Sequence, residues 1–133
     1  MRTNLAAAAV AVILLVASAA YAQTGVVSHK AIEYLLSSVE HSDLTFIRNG
    51  KSYTPKEAAA HLKAKYDYFK AEIVTPEDFI RLAGSKSELS GRPYQVQTRD
   101  GQRVTSAEWL QRVLAEYRAA QEFRSTTSAL HLR

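Results

Sequence analysis

LTFIRNGKSYTPKEAAAHLKAKYDYF, from Leu44 to Phe69, is the stretch that decides the fold. Asn49-Gly50 sits between two runs rich in β-branched and aromatic residues. A type I′ turn needs φ > 0 at both central positions, and Asn followed by Gly accepts this most readily. A two-residue turn sets Arg48 opposite Lys51, Ile47 opposite Ser52 and Phe46 opposite Tyr53. The last is a cross-strand aromatic pair of the kind that fixes register. Alternation then puts Leu44, Phe46 and Tyr53 on one face and Ile47 on the other.

The same stretch next predicts a helix. Thr54 is a natural N-cap, Pro55 fits the first helical position, where its missing N–H costs nothing, and Glu57 can close a capping box. Ala58, Leu62, Tyr66 and Phe69 form one apolar stripe. Lys65 falls inside that stripe, with His61 beside it one turn earlier. The ordinary expectation for Lys65 is a snorkelling side chain whose stem covers the core while its ammonium reaches water. The sharper alternative is an ammonium aimed into a ligand cleft.

Working outward, Ser28 can cap a helix over about residues 29–40, with Ile32, Leu35, Leu36 and Val39 on its apolar face. Thr75-Pro76-Glu77-Asp78 starts a short helix that Gly84 stops. Ser85 to Pro93, SKSELSGRP, reads as a polar loop. Tyr94 to Thr98 alternates like a strand and turns at Arg99-Asp100-Gly101. A three-residue turn with Gly101 in the left-handed region sets Val96 opposite Val104. Thr105 and Glu108 form another capping box, followed by Trp109, Leu110, Val113, Leu114 and Tyr117 on a broad apolar face. The two hairpin-to-helix units match in spacing, through duplication or through a shared local solution. The fold class is α+β: two β-hairpins forming a small antiparallel sheet packed against about four helices. The apolar period decays from Arg124 onward, which predicts a single domain over residues 23–123 and a frayed tail over 124–133.

Residues 1–22 read as a secretory signal peptide: Arg2, an apolar run from Leu5 to Val16, and a small-x-small site at Ala20-Tyr21-Ala22. The run is short for a membrane span. The remaining residues, about 110, can bury one modest core. The chain of 133 residues has no cysteine. It therefore offers no thiol for a disulfide, a lipid anchor or nucleophilic chemistry. Its formal charge of +4 is spread among carboxylates without a basic stripe, which argues against nucleic-acid binding.

No motif carries a reaction or a cofactor. His29, His41, His61 and His131 form no H-x-x-x-H pair, and Lys65 beside His61 disfavours a metal cation. Ser85, Ser87 and Ser90 surround Lys86 but lack the S-x-x-K spacing, and no G-x-S-x-G elbow exists. Glu77 and Asp78 belong to a helix's first turn, where the dipole favours them. The remaining polar set is Arg48, His61, Lys65, Ser85, Lys86 and Ser87, whose cations and hydroxyls would suit an anion if the fold gathered them.

These boxes resemble a family of small exported bacterial proteins known as domain of unknown function five-three-two-nine. The segments that carry the resemblance are FIRNG at Phe46 to Gly50, Tyr53, EAAAHLKAKYDY at Glu57 to Tyr68, EDFI at Glu77 to Ile80, SKS and SGRPY between Ser85 and Tyr94, and WL at Trp109-Leu110. The resemblance implies export and one small domain, and no reaction. Its matched residues include Arg48, Asn49, His61, Lys65, Ser85, Ser87, Gly91 and Tyr94. Family members carry cysteines where Leu44 and Thr98 stand here, which implies that these two positions are neighbours on adjacent strands.

Three functions follow as expectations. The first is a non-enzymatic periplasmic binding or protein-interaction module with an envelope protein as partner, marked by an exposed apolar patch near the first hairpin. The second is a small anionic-ligand binder using Arg48, His61 and Lys65, with Ser85 and Ser87 beside them, marked by convergence on a concave pocket. The third is an unfamiliar hydrolase.

Overall fold

The computed structural model describes residues 25–26 and 28–132. The signal-peptide stretch lies outside the described residues. The first hairpin forms as its residues predict. Asn49 and Gly50 have φ of 50° and 77°. Strand β1, Thr45–Arg48, pairs with β2, Lys51–Tyr53, in the register Phe46↔Tyr53, Ile47↔Ser52 and Arg48↔Lys51. The chain leaves β2 through Thr54, whose hydroxyl accepts from the Glu57 N–H, while the Glu57 carboxylate accepts from the Thr54 N–H. Helix α2, Pro55–Tyr68, follows.

The second unit repeats the logic. Strand β3, Gln95–Gln97, turns through Gly101 at φ 85° into β4, Arg103–Thr105, with Val96 opposite Val104. Thr105 and Glu108 cap helix α4, Ser106–His131. Between the units, Thr75 and Asp78 cap the short helix α3, Pro76–Leu82. The first helix, α1, covers residues 25–26 and 28–40.

The hairpins join edge to edge. The sheet order is β2-β1-β3-β4, so β1 and β3 are the central pair. Their register is Thr45↔Gln97, Phe46↔Val96 and Ile47↔Gln95. Extending it by one pair puts Leu44 opposite Thr98, as the family's cysteine positions imply. Helices cover the face that carries Phe46 and Val96. Ile32, Leu35, Val39, Phe79, Ile80 and Leu110 meet there, each 3% exposed or less. Phe46 meets Trp109 edge-on at 6.1 Å, and Tyr66 meets Phe79 edge-on at 5.8 Å.

Two expectations at the ends of the chain are corrected. Ser28 does not cap α1: it is buried inside the helical segment. Regular structure also does not end at Arg124, because α4 runs on to His131. Every residue from Arg118 to Leu132 is exposed. The extension carries on from turns already formed on the core, adding one hydrogen bond per residue, and Ser125, Thr126 and Thr127 turn their hydroxyls onto the carbonyls four residues back.

Candidate functional site

A cavity of ≈ 320 Å³ lies between α2 and the sheet. Phe46, Ala58 and Leu62 give it an apolar floor, and Arg48, Tyr53, His61 and Tyr94 line it as well. Its position follows from two periodicities. Alternation along β1 aims Arg48 to the same side as Phe46. On α2, His61 lies one turn after Ala58 and beside Leu62.

These polar groups form one hydrogen-bonded chain. Arg48 Nη2 donates to the Tyr53 hydroxyl at 3.1 Å. Arg48 Nη1 lies 3.0 Å from Nδ1 and 3.1 Å from Nε2 of His61. His61 Nε2 lies 3.0 Å from the Tyr94 hydroxyl. That hydroxyl also accepts from Lys65 Nζ at 3.3 Å. Nη1 is almost equally near both ring nitrogens, which places the guanidinium over the face of the imidazole, where its charge favours the neutral ring. In the neutral tautomer that carries its proton on Nε2, His61 donates to the Tyr94 hydroxyl. Burial holds the His61 pKa below its ordinary value, and the positive charges of Arg48 and Lys65 push it the same way.

Lys65 behaves as neither expectation has it. It does not snorkel, being 8% exposed. It does not line the cavity either. Its ammonium donates to the Lys86 carbonyl at 2.8 Å, to Tyr94 and to Glu88 Oε1 at 3.4 Å. Three donors meet three acceptors, which is what keeps a buried ammonium tolerable. Its role is to tie the loop 85–93 to α2 and to hold Tyr94 from behind.

Ser85 and Ser87 also stand outside the cavity. The Ser85 hydroxyl donates to the Ile80 carbonyl at 2.6 Å, just past the end of α3. Ser87 Oγ accepts from Asn49 Nδ2 at 3.2 Å, and Ser90 Oγ donates to Asn49 Oδ1 at 2.5 Å. The first hairpin's turn thus grips the loop. Tyr94 is fixed at both ends of its backbone, through N–H to the Ser85 carbonyl and through C=O to the Ser106 N–H, each at 2.9 Å. So Arg48 and His61 converge on the cavity, Lys65 supports it through Tyr94, and Ser85 and Ser87 serve the loop. Tyr53 and Tyr94 are the site residues that sequence reasoning missed. Each read as an ordinary strand aromatic, and only the pairing of β1 with β3 brings Tyr94 to His61.

The cavity is rich in donors and poor in acceptors. Among the described residues no carboxylate lies within ion-pair distance of Arg48. Glu57 reaches the rim, but its carboxylate is engaged in the cap of α2. A second hollow, of ≈ 240 Å³, lies on the opposite face of the sheet between Arg92 and Arg103.

The family model for a family of unknown function, DUF5329, matches residues 27–118. The chain belongs to this family. The matched span includes every residue of the hydrogen-bonded chain and stops where α4 becomes wholly exposed. The uncharacterized protein YfeK of Salmonella typhimurium is 34% identical over 84 residues, which cover 62% of this chain and 70% of that protein. No solved structure gives a significant match. No helix among the described residues is long and apolar enough to cross a membrane.

Proposed function

We propose that this DUF5329 protein is an exported binding module that takes a small anionic ligand in the cavity between α2 and the sheet. The observation that carries the reading is Arg48. It is a half-buried guanidinium at an apolar hollow with no carboxylate partner among the described residues. A desolvated cation of this kind binds carboxylates or phosphates strongly, because charge-assisted hydrogen bonds gain most where water is scarce. A protein-interaction surface on the first hairpin has less support. Phe46 and Ile47 are buried; Leu89 is exposed in the loop that Asn49 grips, but Tyr68 and Phe123 lie on α2 and α4, so the exposed large apolar side chains do not gather on the hairpin. The signal-like composition of residues 1–22 supports export, with the periplasm as the compartment.

The test is a thermal-shift screen of carboxylates, phosphates, sugars and short peptides against the wild-type protein and Arg48→Gln. A ligand present at about 100 times its dissociation constant adds about 2.7 kcal/mol of stability. The reading expects a shift with anions that Arg48→Gln loses. Equal shifts in both proteins, or shifts with neutral sugars alone, would sink it.

A further inference from the structure

Two tyrosine hydroxyls at the cavity have an unusual arrangement. Tyr53 accepts from Arg48, and Tyr94 accepts from Lys65 and from His61 in the neutral tautomer assigned above. Each oxygen is engaged as an acceptor, so its own proton is free to donate. Arg48 keeps further N–H groups beyond the one it gives to Tyr53. The hydrogen-bonded chain therefore offers the cavity a cation and hydroxyl donors, while Phe46, Ala58 and Leu62 give it apolar walls. At ≈ 320 Å³ it stands near the lower end of ligand pockets, which span about 300–1,000 Å³. Inorganic phosphate would leave the floor unfilled, and a sugar would bury hydroxyls against it unpaired.

We infer that the ligand is a small amphipathic monocarboxylate, an aromatic or short alkyl acid, and that its binding is coupled to uptake of one proton by His61. This rests on the reading of the cavity as an anion site. The coupling follows from what surrounds the imidazole. From β1, the Arg48 guanidinium lies against its ring face. From β2, Tyr53 and Lys51 stand behind Arg48, with the Lys51 ammonium 5.3 Å from the Tyr53 ring centre. On α2 itself, Lys65 lies one turn later, and Glu57 lies one turn earlier, engaged in its cap. From the start of β3 comes Tyr94, and from the loop come Glu88 and the Lys86 carbonyl, both spent on Lys65. Burial and the two cations, Arg48 and Lys65, favour the neutral form of His61. A carboxylate laid on Arg48 reverses that field and favours the imidazolium. The imidazolium then repels the guanidinium that lies over its face, which turns Arg48 toward the ligand, so that both cations face one anion.

The sign is definite. Where His61 is neutral in the free protein and charged in the complex, affinity falls as pH rises, by at most about tenfold per pH unit. Below the pKa of the free protein, and above that of the complex, affinity is flat. The probe is 4-phenylbutyrate, with its neutral amide as control. It is titrated calorimetrically into the full chain from about pH 5.5 to about pH 8.5, bracketing the ordinary histidine value of about 6.5. Two buffers of different ionisation enthalpy report the protons taken up. The expected result is binding of the acid and not the amide, uptake approaching one proton, and a pH slope that flattens in His61→Gln. An NMR titration of His61 in the wild-type protein, with and without 4-phenylbutyrate, gives the same answer without a variant: the ligand raises its pKa. Binding without proton uptake would overturn the coupling and leave the anion site standing. Equal binding of the amide, or proton uptake that persists in His61→Gln, would also overturn it. No binding at any pH would overturn the ligand class, and the Arg48→Gln thermal-shift screen then decides whether the anion site survives.

Discussion

Leu44→Cys with Thr98→Cys should form a disulfide that staples the centre of the sheet. The β1–β3 register ends at Thr45↔Gln97, and one further step sets Leu44 opposite Thr98. Residues directly opposite in an antiparallel ladder have Cα atoms about 4.5–5.5 Å apart, inside the range of about 4.4–6.8 Å that a disulfide spans. The closed loop is on the order of 55 residues, for which the chain-entropy relation gives about 4 kcal/mol. Leu44 packs against the core while Thr98 is exposed, so the truncation of Leu44 returns about 1–2 kcal/mol of that. The net gain over the wild type is about 2–3 kcal/mol, whereas the oxidised form should exceed the reduced double variant, which carries the same truncation, by about 4 kcal/mol, or roughly 15 °C in Tm for a domain of this size. The assay is thermal unfolding of the same double variant, oxidised and reduced, with thiol titration to show closure. Failure to close under mild oxidation, or an oxidised form less stable than the reduced one, would refute the central pairing of β1 with β3.

Other substitutions probe the packing and the polar chain. A Cβ at Gly84 would lie 2.6 Å from Leu110 Cδ1 and 3.3 Å from the Ile80 carbonyl oxygen. Leu110 is fully buried, so Gly84→Ala should cost about 1–3 kcal/mol in urea unfolding. Leu110→Val should cost less in the Gly84→Ala background than alone, and additive effects would contradict the predicted clash. Lys65→Met removes all three hydrogen bonds of the ammonium and should cost about 1–3 kcal/mol, with faster proteolysis in the loop 85–93; an unchanged midpoint would show that Lys65 is not the tie. His61 also predicts a pH effect on stability. Its folded pKa is depressed, so the unfolded chain binds more protons in acid. No stability is lost well above about pH 6.5, and the loss grows as pH falls through that value. Wild type should therefore lose more stability than His61→Gln between about pH 7.5 and about pH 5, and parallel losses would contradict the neutral assignment.

What the sequence made legible was local. The Asn49-Gly50 turn, the Gly101 turn and the capping boxes of Thr54, Thr75 and Thr105 each depend on residues within a few positions of one another, and all of them form. What it hid was set by partners far along the chain. Lys65 lies on an apolar stripe, and a helical wheel cannot show that the Lys86 carbonyl and Glu88 will come to meet it. Tyr94 looked like any strand aromatic until the β1–β3 pairing carried it to His61. Ser85 and Ser87 were grouped with the site by chemistry alone, whereas their bonds to the Ile80 carbonyl and to Asn49 serve the loop. The length of α4 was misjudged because a decaying apolar period signals the end of packing, not the end of a helix.

The binding claim stands or falls on where an amphipathic acid lands. NMR of the wild-type protein, followed while 4-phenylbutyrate is added in mildly acidic buffer, reads this directly. The side-chain signals of Arg48, Tyr53, His61 and Tyr94 should shift together and saturate, while those of Arg92 and Arg103 on the opposite face of the sheet stay in place. Saturable shifts confined to Arg92 and Arg103, or no saturable shift at all, would contradict the account.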